Sequence, residues 1–134
     1  MVQRGDAGML EIKLRLPYPP TINHYYVRTK NGMAIGQKGK WYREQVNLLV
    51  AIARLPRKFL GAEKLKVTIR AFAPDHRSRD ADNILKCLLD SLTKASVWGD
   101  DRQIFDLRVI KGYDQNKTGY VEVSVTEIGE QDEL

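Results

Sequence analysis

Hydrophobic residues alternate with charged and polar ones in two separate segments of the chain, residues 10–16 and 65–71. A period of two is the pattern of a β-strand with one buried face. We therefore predict strands over both segments. Shorter or less regular runs predict further strands over 24–28, 33–35, 104–112 and 120–128, and Asn31-Gly32 is a typical hairpin turn pair between the second and third strands.

Two other segments repeat their apolar residues at intervals of three and four, which is the period of an amphipathic helix. They predict helices over 40–54 and 81–95. The resulting order is β-β-β-α-β-α-β-β, which predicts an α+β fold with a mixed sheet and two main helices rather than regular βαβ winding. We expect one domain over residues 1–134, with residues 1–8 and 129–134 as flexible tails.

Composition narrows the functional classes. The chain has 134 residues, 43% hydrophobic and 29% charged, as in an ordinary globular domain. Its one cysteine, Cys87, has no partner for an internal disulfide, and we interpret it as a small buried apolar residue. No phosphate-binding loop, dinucleotide motif or serine-nucleophile motif is present, so no nucleotide cofactor is expected. No apolar run could span a bilayer, and we expect a cytoplasmic protein without a membrane partner.

Charge is unevenly distributed along the chain. Residues 1–60 contain 11 basic and 3 acidic side chains, whereas residues 61–134 contain 11 basic and 14 acidic ones. A basic half beside an acidic half suits a protein that binds a polyanion and presents carboxylates to it. An ordinary solvated surface is the alternative interpretation.

The segment 74–83 has the highest density of chemically useful side chains. Asp80 and Asp82 flank one residue, so their carboxylates can converge if the backbone there is extended. Asp82 would also lie near the start of the second helix, where the helix dipole favours an anion. Helix capping explains one of the two aspartates equally well, so at this stage a metal or phosphate site and a structural cap both stay open.

Lys86 and Asp90 follow Asp82 at steps of four, which places all three on one face of a helix. Surface ion pairs are the structural alternative. Asp100 and Asp101 form a third acidic cluster, and carboxylates from separate segments can build an oxygen site for Mg²⁺ or Mn²⁺. Zinc is disfavoured, because one cysteine and two distant histidines do not give zinc-ligand spacing.

Three ordered motifs resemble the RusA family of Holliday-junction resolvases from bacteria and prophages, over roughly residues 12–127. The first is Leu-Pro-Tyr-Pro-Pro-Thr-Ile-Asn-His-Tyr-Tyr at 16–26. The second is Arg-Asp-Ala-Asp-Asn-Ile-Leu-Lys at 79–86, continuing to Asp-Ser-Leu-Thr-Lys-Ala at 90–95. The third is Val-Trp-Gly-Asp-Asp-Arg-Gln at 97–103. Ser78 departs from the denser arginine run that is common in the family.

The resemblance implies a homodimeric, divalent-metal-dependent endonuclease that cuts four-way DNA junctions in recombination and repair, at the nucleoid. By motif position, it implies that Asp80, Asp82 and Asp101 bind Mg²⁺, with Mn²⁺ as a substitute, and that Lys86 is an essential lysine. Asp90 and Asp100 match positions close to the site.

Residue chemistry agrees with that implication. A carboxylate-held Mg²⁺ suits phosphodiester hydrolysis, and a lysine can stabilise the developing charge. Tyr25 and Tyr26 are candidates for stacking on bases, although one of them is expected in the core. A nuclease of other branched DNA or of RNA, and a non-catalytic DNA-binding module, stay open as alternatives. Candidate phosphate contacts are Arg77, Arg79, Lys38, Lys40 and Arg43.

Overall fold

The alternating segments of the sequence pair into one large sheet. The computed structural model describes residues 2–4, 10–55 and 58–129. Its five-stranded sheet contains β1 (Val2–Arg4), β2 (Leu10–Pro17), β5 (Leu65–Ala73), β6 (Ile104–Tyr113) and β7 (Tyr120–Glu127), in the order β1-β2-β7-β5-β6. A separate hairpin consists of β3 (Tyr26–Thr29) and β4 (Gly32–Ile35), and the helices are α1 (Ile22–Tyr25), α2 (Gln37–Ala53) and α3 (Leu85–Lys94).

Strand directions determine where the connections lie. β7 runs antiparallel to both of its neighbours, β2 and β5. β5 and β6 are parallel, so the chain must cross back along the sheet between them, and that crossover carries α3 and the 3₁₀ turn Asp101–Gln103. The C-terminal ends of β5 and β6 therefore lie side by side at one end of the sheet, next to the end of β2 and the start of β7.

The core lies between one face of the sheet and helices α2 and α3. Every second residue of β2, β5 and β7 is buried there, as the alternation in the sequence predicts. Both helices contribute apolar stripes that pack against one another and the sheet. The largest fully buried side chains are Trp98, Tyr25, Tyr42, Phe59, Ile12, Leu16 and Leu65.

The predicted α+β class and element order are confirmed, but the predicted strand over 24–28 is wrong at its start. His24 and Tyr25 belong to α1, because the N–H groups of both residues donate to the carbonyl of Thr21 at 2.9 Å. This single turn directs the Tyr25 ring into the core, where it is fully buried. Burial of the Tyr25 ring outweighs the strand preference that Tyr and Val give to this segment.

The second main helix starts at Leu85 and not at residue 81 as predicted. The carbonyl of Asn83 accepts a hydrogen bond from the N–H of Ile22 at 2.8 Å, so it is used by a distant segment instead of the next helical turn. The first main helix starts earlier than predicted, at Gln37 instead of Lys40. Glycine disfavours helices, but Gly39 lets this first turn pack directly against Tyr25.

The ends of the chain were expected to be flexible tails. Residues 1, 5–8 and 130–134 lie outside the described residues, while Val2–Arg4 pairs with β2 as strand β1. Within the described ranges, no helix is long and apolar enough to span a membrane.

Candidate active site

A loop over residues 74–84 connects β5 to α3 and lies at the edge where β5 and β6 end. Two contacts attach it to β6. The Lys111 ammonium donates to the Arg79 carbonyl at 2.6 Å, and the His76 ring packs on the Tyr113 ring with centroids 4.1 Å apart. Residues in loops held by a rigid sheet are well placed for binding and catalysis. This loop contains the acidic pair that the sequence singled out.

Asp75 organises the arginines of the loop, a role that the sequence did not suggest. It accepts a hydrogen bond from the backbone N–H of Arg77 at 2.9 Å and lies 2.8 Å from the Arg79 guanidinium. The Arg77 N–H first, and then the Arg77 and Arg79 side chains, lower the pKa of Asp75 to about 2. The Arg77 side chain is 81% exposed and the Arg79 side chain only 15%. Arg77 therefore faces solvent, whereas Arg79 braces the loop.

Asp80 and Asp82 are both exposed on this loop. The backbone around them forms a turn, since the Asn83 N–H donates to the Asp80 carbonyl and the Leu85 N–H donates to the Asp82 carbonyl. The extended backbone that would let the two carboxylates converge is therefore not present. Among the described residues, neither carboxylate forms a hydrogen bond or an ion pair. Their oxygens are therefore available to an external ligand.

Lys86 lies on the first turn of α3, directly after the loop. Its ammonium is 3.3 Å from Asp90 Oδ1, one helical turn further on. Asp90 also accepts a hydrogen bond from the Tyr25 hydroxyl at 2.9 Å. The hydrogen bond with Asp90 raises the pKa of Lys86, so the side chain keeps its positive charge. This contact confirms the prediction that Lys86 and Asp90 lie on one helix face. For Asp82 the prediction is wrong, because α3 begins only at Leu85.

Asp101 lies at the other end of α3. The Trp98 indole N–H donates to Asp101 Oδ1 at 3.0 Å, and the Thr93 hydroxyl is hydrogen-bonded to the same oxygen. Because Trp98 is fully buried, it fixes the orientation of the Asp101 carboxylate. Oδ2 of Asp101 has no hydrogen-bond partner within the described ranges, so one oxygen of this carboxylate is available.

Asp100 has a structural role in the neighbouring 3₁₀ turn. Its side chain accepts from the Arg102 N–H at 2.8 Å, and the Gln103 side chain accepts from the Asp100 N–H at 2.9 Å. Asp100 and Gln103, the third residue of the turn, form a capping box, in which the side chain of each accepts from the backbone N–H of the other. The Arg102 N–H and guanidinium lower the pKa of Asp100. Capping therefore accounts for Asp100 without a ligand.

Two concave surfaces flank this arrangement. A cavity of about 450 Å³ is lined by Asp80, Arg77 and Lys111 with neighbouring residues of the loop and sheet. A shallower one of about 310 Å³ is lined by Arg43, Asp90 and Asp101 with parts of α3. Three of the predicted phosphate contacts lie on α2. Arg43 lines the same surface as Asp90 and Asp101, while Lys38 and Lys40 are exposed on the first turn of the helix.

The predicted metal ligands are not gathered into one cluster in this structure. Within the described part of the chain, no three carboxylate, imidazole or thiol side chains are placed to hold a metal ion together. Asp101 is held by Thr93, and Thr93 lies seven residues after Lys86, which is about 10 Å further along the axis of α3. Asp101 is therefore separated from the loop that contains Asp80 and Asp82. The donors nevertheless fit Mg²⁺ in kind, because it prefers oxygen ligands and takes one or two carboxylates together with substrate phosphates. The metal role of these residues stays a prediction.

Comparison with known proteins gives a consistent result over most of the chain. The family model described as "Endodeoxyribonuclease RusA" matches residues 17–126. A Shigella sonnei protein named "Crossover junction endodeoxyribonuclease RusA" is 38% identical over 119 residues, which cover 88% of this chain and 96% of that protein. A protein of the same name from Enterobacteria phage HK97 is 39% identical over 120 residues, covering 90% and 98%.

Among solved structures, the periplasmic domain of Helicobacter pylori MotB aligns with 96% of this chain and 85% of that chain. The TM-score is 0.37 and the identity 18%, which is too low to indicate a common fold.

Proposed function

The chain belongs to the RusA family of endodeoxyribonucleases, and from this premise we propose that it resolves four-way DNA junctions by cutting one phosphodiester in each of two opposed strands. The observation that carries the proposal is the family match over residues 17–126, which spans the whole 74–84 loop, α3 and the 97–103 motif. Exposed carboxylates beside an exposed arginine and a lysine are the groups that phosphodiester hydrolysis requires.

We propose that the reaction depends on Mg²⁺, for which Mn²⁺ substitutes, held by Asp80, Asp82 and Asp101. When bound, the ion supplies Lewis-acid activation of water and neutralises charge on the phosphate. Asp80 and Asp82 support this role because their carboxylates have no partner among the described residues. Asp101 supports it because Trp98 and Thr93 fix one oxygen and leave Oδ2 available.

Lys86 is the proposed electrostatic catalyst. Its side chain extends from the turn of α3 that directly follows the acidic loop, and its pKa is raised, so it stays charged at neutral pH. A fixed positive charge that meets the phosphate in the transition state lowers the barrier. Asp90 lies one helical turn after Lys86, and its carboxylate holds the Lys86 ammonium.

DNA binding is proposed to rest on cations around both cavities. Arg77 extends into solvent from the site loop and Arg43 lies beside Asp101. Lys38 and Lys40 continue the positive charge along the first turn of α2. Contacts to phosphate oxygens position a duplex without reading its sequence. Arg79 is bound to Asp75 and contributes by holding the loop in place.

We further propose a symmetric homodimer, because paired cuts in opposed strands need two sites related by a two-fold axis, and such dimers are the commonest oligomers. We propose that the two copies of the chain contact each other through β6. It is an edge strand of the sheet, ten residues long, and an unpaired edge is a ready site for association. Its large exposed hydrophobic residues are Phe105, Leu107, Ile110 and Tyr113.

The function is tested by incubating the protein with a labelled four-way junction and, separately, with a linear duplex of the same sequences. We expect metal-dependent, symmetrically paired nicks in the junction and little cutting of the duplex. Equal cutting of both substrates would contradict a junction-specific reaction. Binding of the junction without any cutting in Mg²⁺ or Mn²⁺ would indicate a DNA-binding module instead.

The dimer is tested separately by light scattering at micromolar concentration. We expect twice the mass of one 134-residue chain. Ile110→Glu, on β6, should shift the mass toward the monomer, because a charge replaces an apolar side chain at the proposed contact. Ile52→Glu is the matched control, since Ile52 is an exposed isoleucine on α2. A dimer that tolerates the change at Ile110 would place the contact elsewhere.

A further inference from the structure

Tyr25 connects the N-terminal motif to the centre of α3. Its ring is fully buried, and its hydroxyl donates to Asp90 Oδ2 at 2.9 Å, across 65 residues of sequence. The ring also meets Tyr26 edge-on, with centroids 4.8 Å apart. A base-stacking role for Tyr25 is therefore wrong, and its one polar atom is directed at a carboxylate beside the site.

Asp90 is held from two sides. Oδ2 accepts the Tyr25 hydrogen bond, and Oδ1 lies 3.3 Å from the Lys86 ammonium. An ion pair between helix residues four apart is usually mobile, because both side chains lose rotamer freedom for little energy. Here one partner is fixed by a buried hydroxyl. The carboxylate therefore presents a stationary oxygen to Lys86.

The position of Tyr25 is itself fixed by the backbone of α2. A Cβ added at Gly39 would lie 2.6 Å from Cδ1 of the Tyr25 ring and 2.8 Å from Cγ2 of Ile35. The helix therefore passes too close to the ring for any side chain larger than hydrogen. Burial, followed by the bond to Asp90, raises the pKa of Tyr25, so its hydroxyl keeps its proton and remains a donor.

We infer that Tyr25 and Asp90 are positioning residues that hold the Lys86 ammonium in one place for the reaction, an inference that rests on the proposed function of Lys86. Neither residue needs to touch the substrate. Catalysis by a fixed charge depends on its placement before the reaction starts. A chain that binds the junction normally but leaves Lys86 mobile is expected to cut slowly.

Tyr25→Phe is the sharpest test, because it removes only the hydroxyl and leaves the ring in the core. We expect the single-turnover cleavage rate of a saturated complex to fall about tenfold, with junction affinity unchanged. Tyr42→Phe is the matched control. Tyr42 is also fully buried, and its hydroxyl donates to the Pro17 carbonyl at 2.7 Å and not to Asp90. Loss of stability alone would affect both variants alike.

A double-substitution cycle shows whether the effect passes through Lys86. In a Lys86→Ala background, Tyr25→Phe should cause no further loss of rate. A persisting tenfold loss there, or equal rates for Tyr25→Phe and Tyr42→Phe, would overturn the inference and leave the proposed function intact. A normal rate for Lys86→Ala alone would overturn the proposed role of Lys86 and the inference with it.

Discussion

Lys86→Ala separates a catalytic lysine from an ordinary surface ion pair. The two roles predict different losses, one in the free energy of unfolding and the other in the rate of cleavage. The Lys86 side chain is 49% exposed, and its pair with Asp90 joins residues four apart on a helix, so its loss should cost only about 0.3–0.5 kcal/mol of unfolding free energy. Removal of a charge that stabilises the transition state typically costs about 10²–10³ in rate. We therefore expect a near-normal melting temperature with a loss of two to three orders of magnitude in cleavage.

The assay is single-turnover cleavage of a labelled four-way junction with enzyme in excess, alongside binding measured without metal. Lys66→Ala is the matched control, because it removes one positive charge from the opposite face of the sheet, where Lys66 lines a separate groove. We expect that variant to cut within about twofold of the normal rate, since a remote charge contributes only screened electrostatics. Equal rates for Lys86→Ala and the unsubstituted protein would refute the catalytic assignment, and equal losses in both variants would indicate a general charge effect.

Three further outcomes are expected. Asp82→Asn should lose cleavage by more than about a hundredfold while gel-shift affinity is kept or increased, because phosphate contacts supply most of the binding; cutting at the normal rate would contradict a metal ligand at this position. Carboxyl ¹³C titration of Asp75 should show a midpoint near 2, and Arg77→Ala should move that midpoint toward 3.8. Because the pKa of Asp75 is lowered in the folded protein, the ionised carboxylate stabilises the fold above pH 3.8, and this stabilisation is lost as the pH falls through about 2. The Cys87 thiol, whose burial raises its pKa to about 12, should resist alkylation at pH 8 until the chain unfolds, and rapid reaction of the folded protein would show that the helix opens.

Strands and helices with regular periods were predictable from sequence, because each depends on its own pattern of buried positions. The alternation of residues 65–71 determines which face of β5 is buried, whatever its neighbours are. The start of α3 was not predictable, because it depends on the bond between the Asn83 carbonyl and the Ile22 N–H, which brings together segments distant in sequence. The same limit applies to α1, where burial of Tyr25 determines the backbone.

Some features of the candidate site were also predictable from the sequence, and others were not. The spacing of Lys86 and Asp90 predicted their contact, since a helix places residues four apart on one face. The orientation of Asp101 by Trp98 depends on a buried indole whose partner no spacing rule identifies. The role of Asp75 was also missed, because it lies before the acidic motif and acts through the arginines that the sequence assigned to DNA.

The central position of β7 has a consequence for synthesis of the protein on the ribosome. β7 pairs with β2 through contacts such as Glu11 with Thr126, and with β5 on its other side. A nascent chain that stops before residue 120 therefore leaves two strand edges unpaired, and such edges invite pairing between chains. Pairing across so long a stretch of sequence is also slow. Because Tyr18, after β2, and Ala73, at the end of β5, line one cavity, and β7 lies between these two strands in the sheet, we expect this cavity to form only after β7 has been translated.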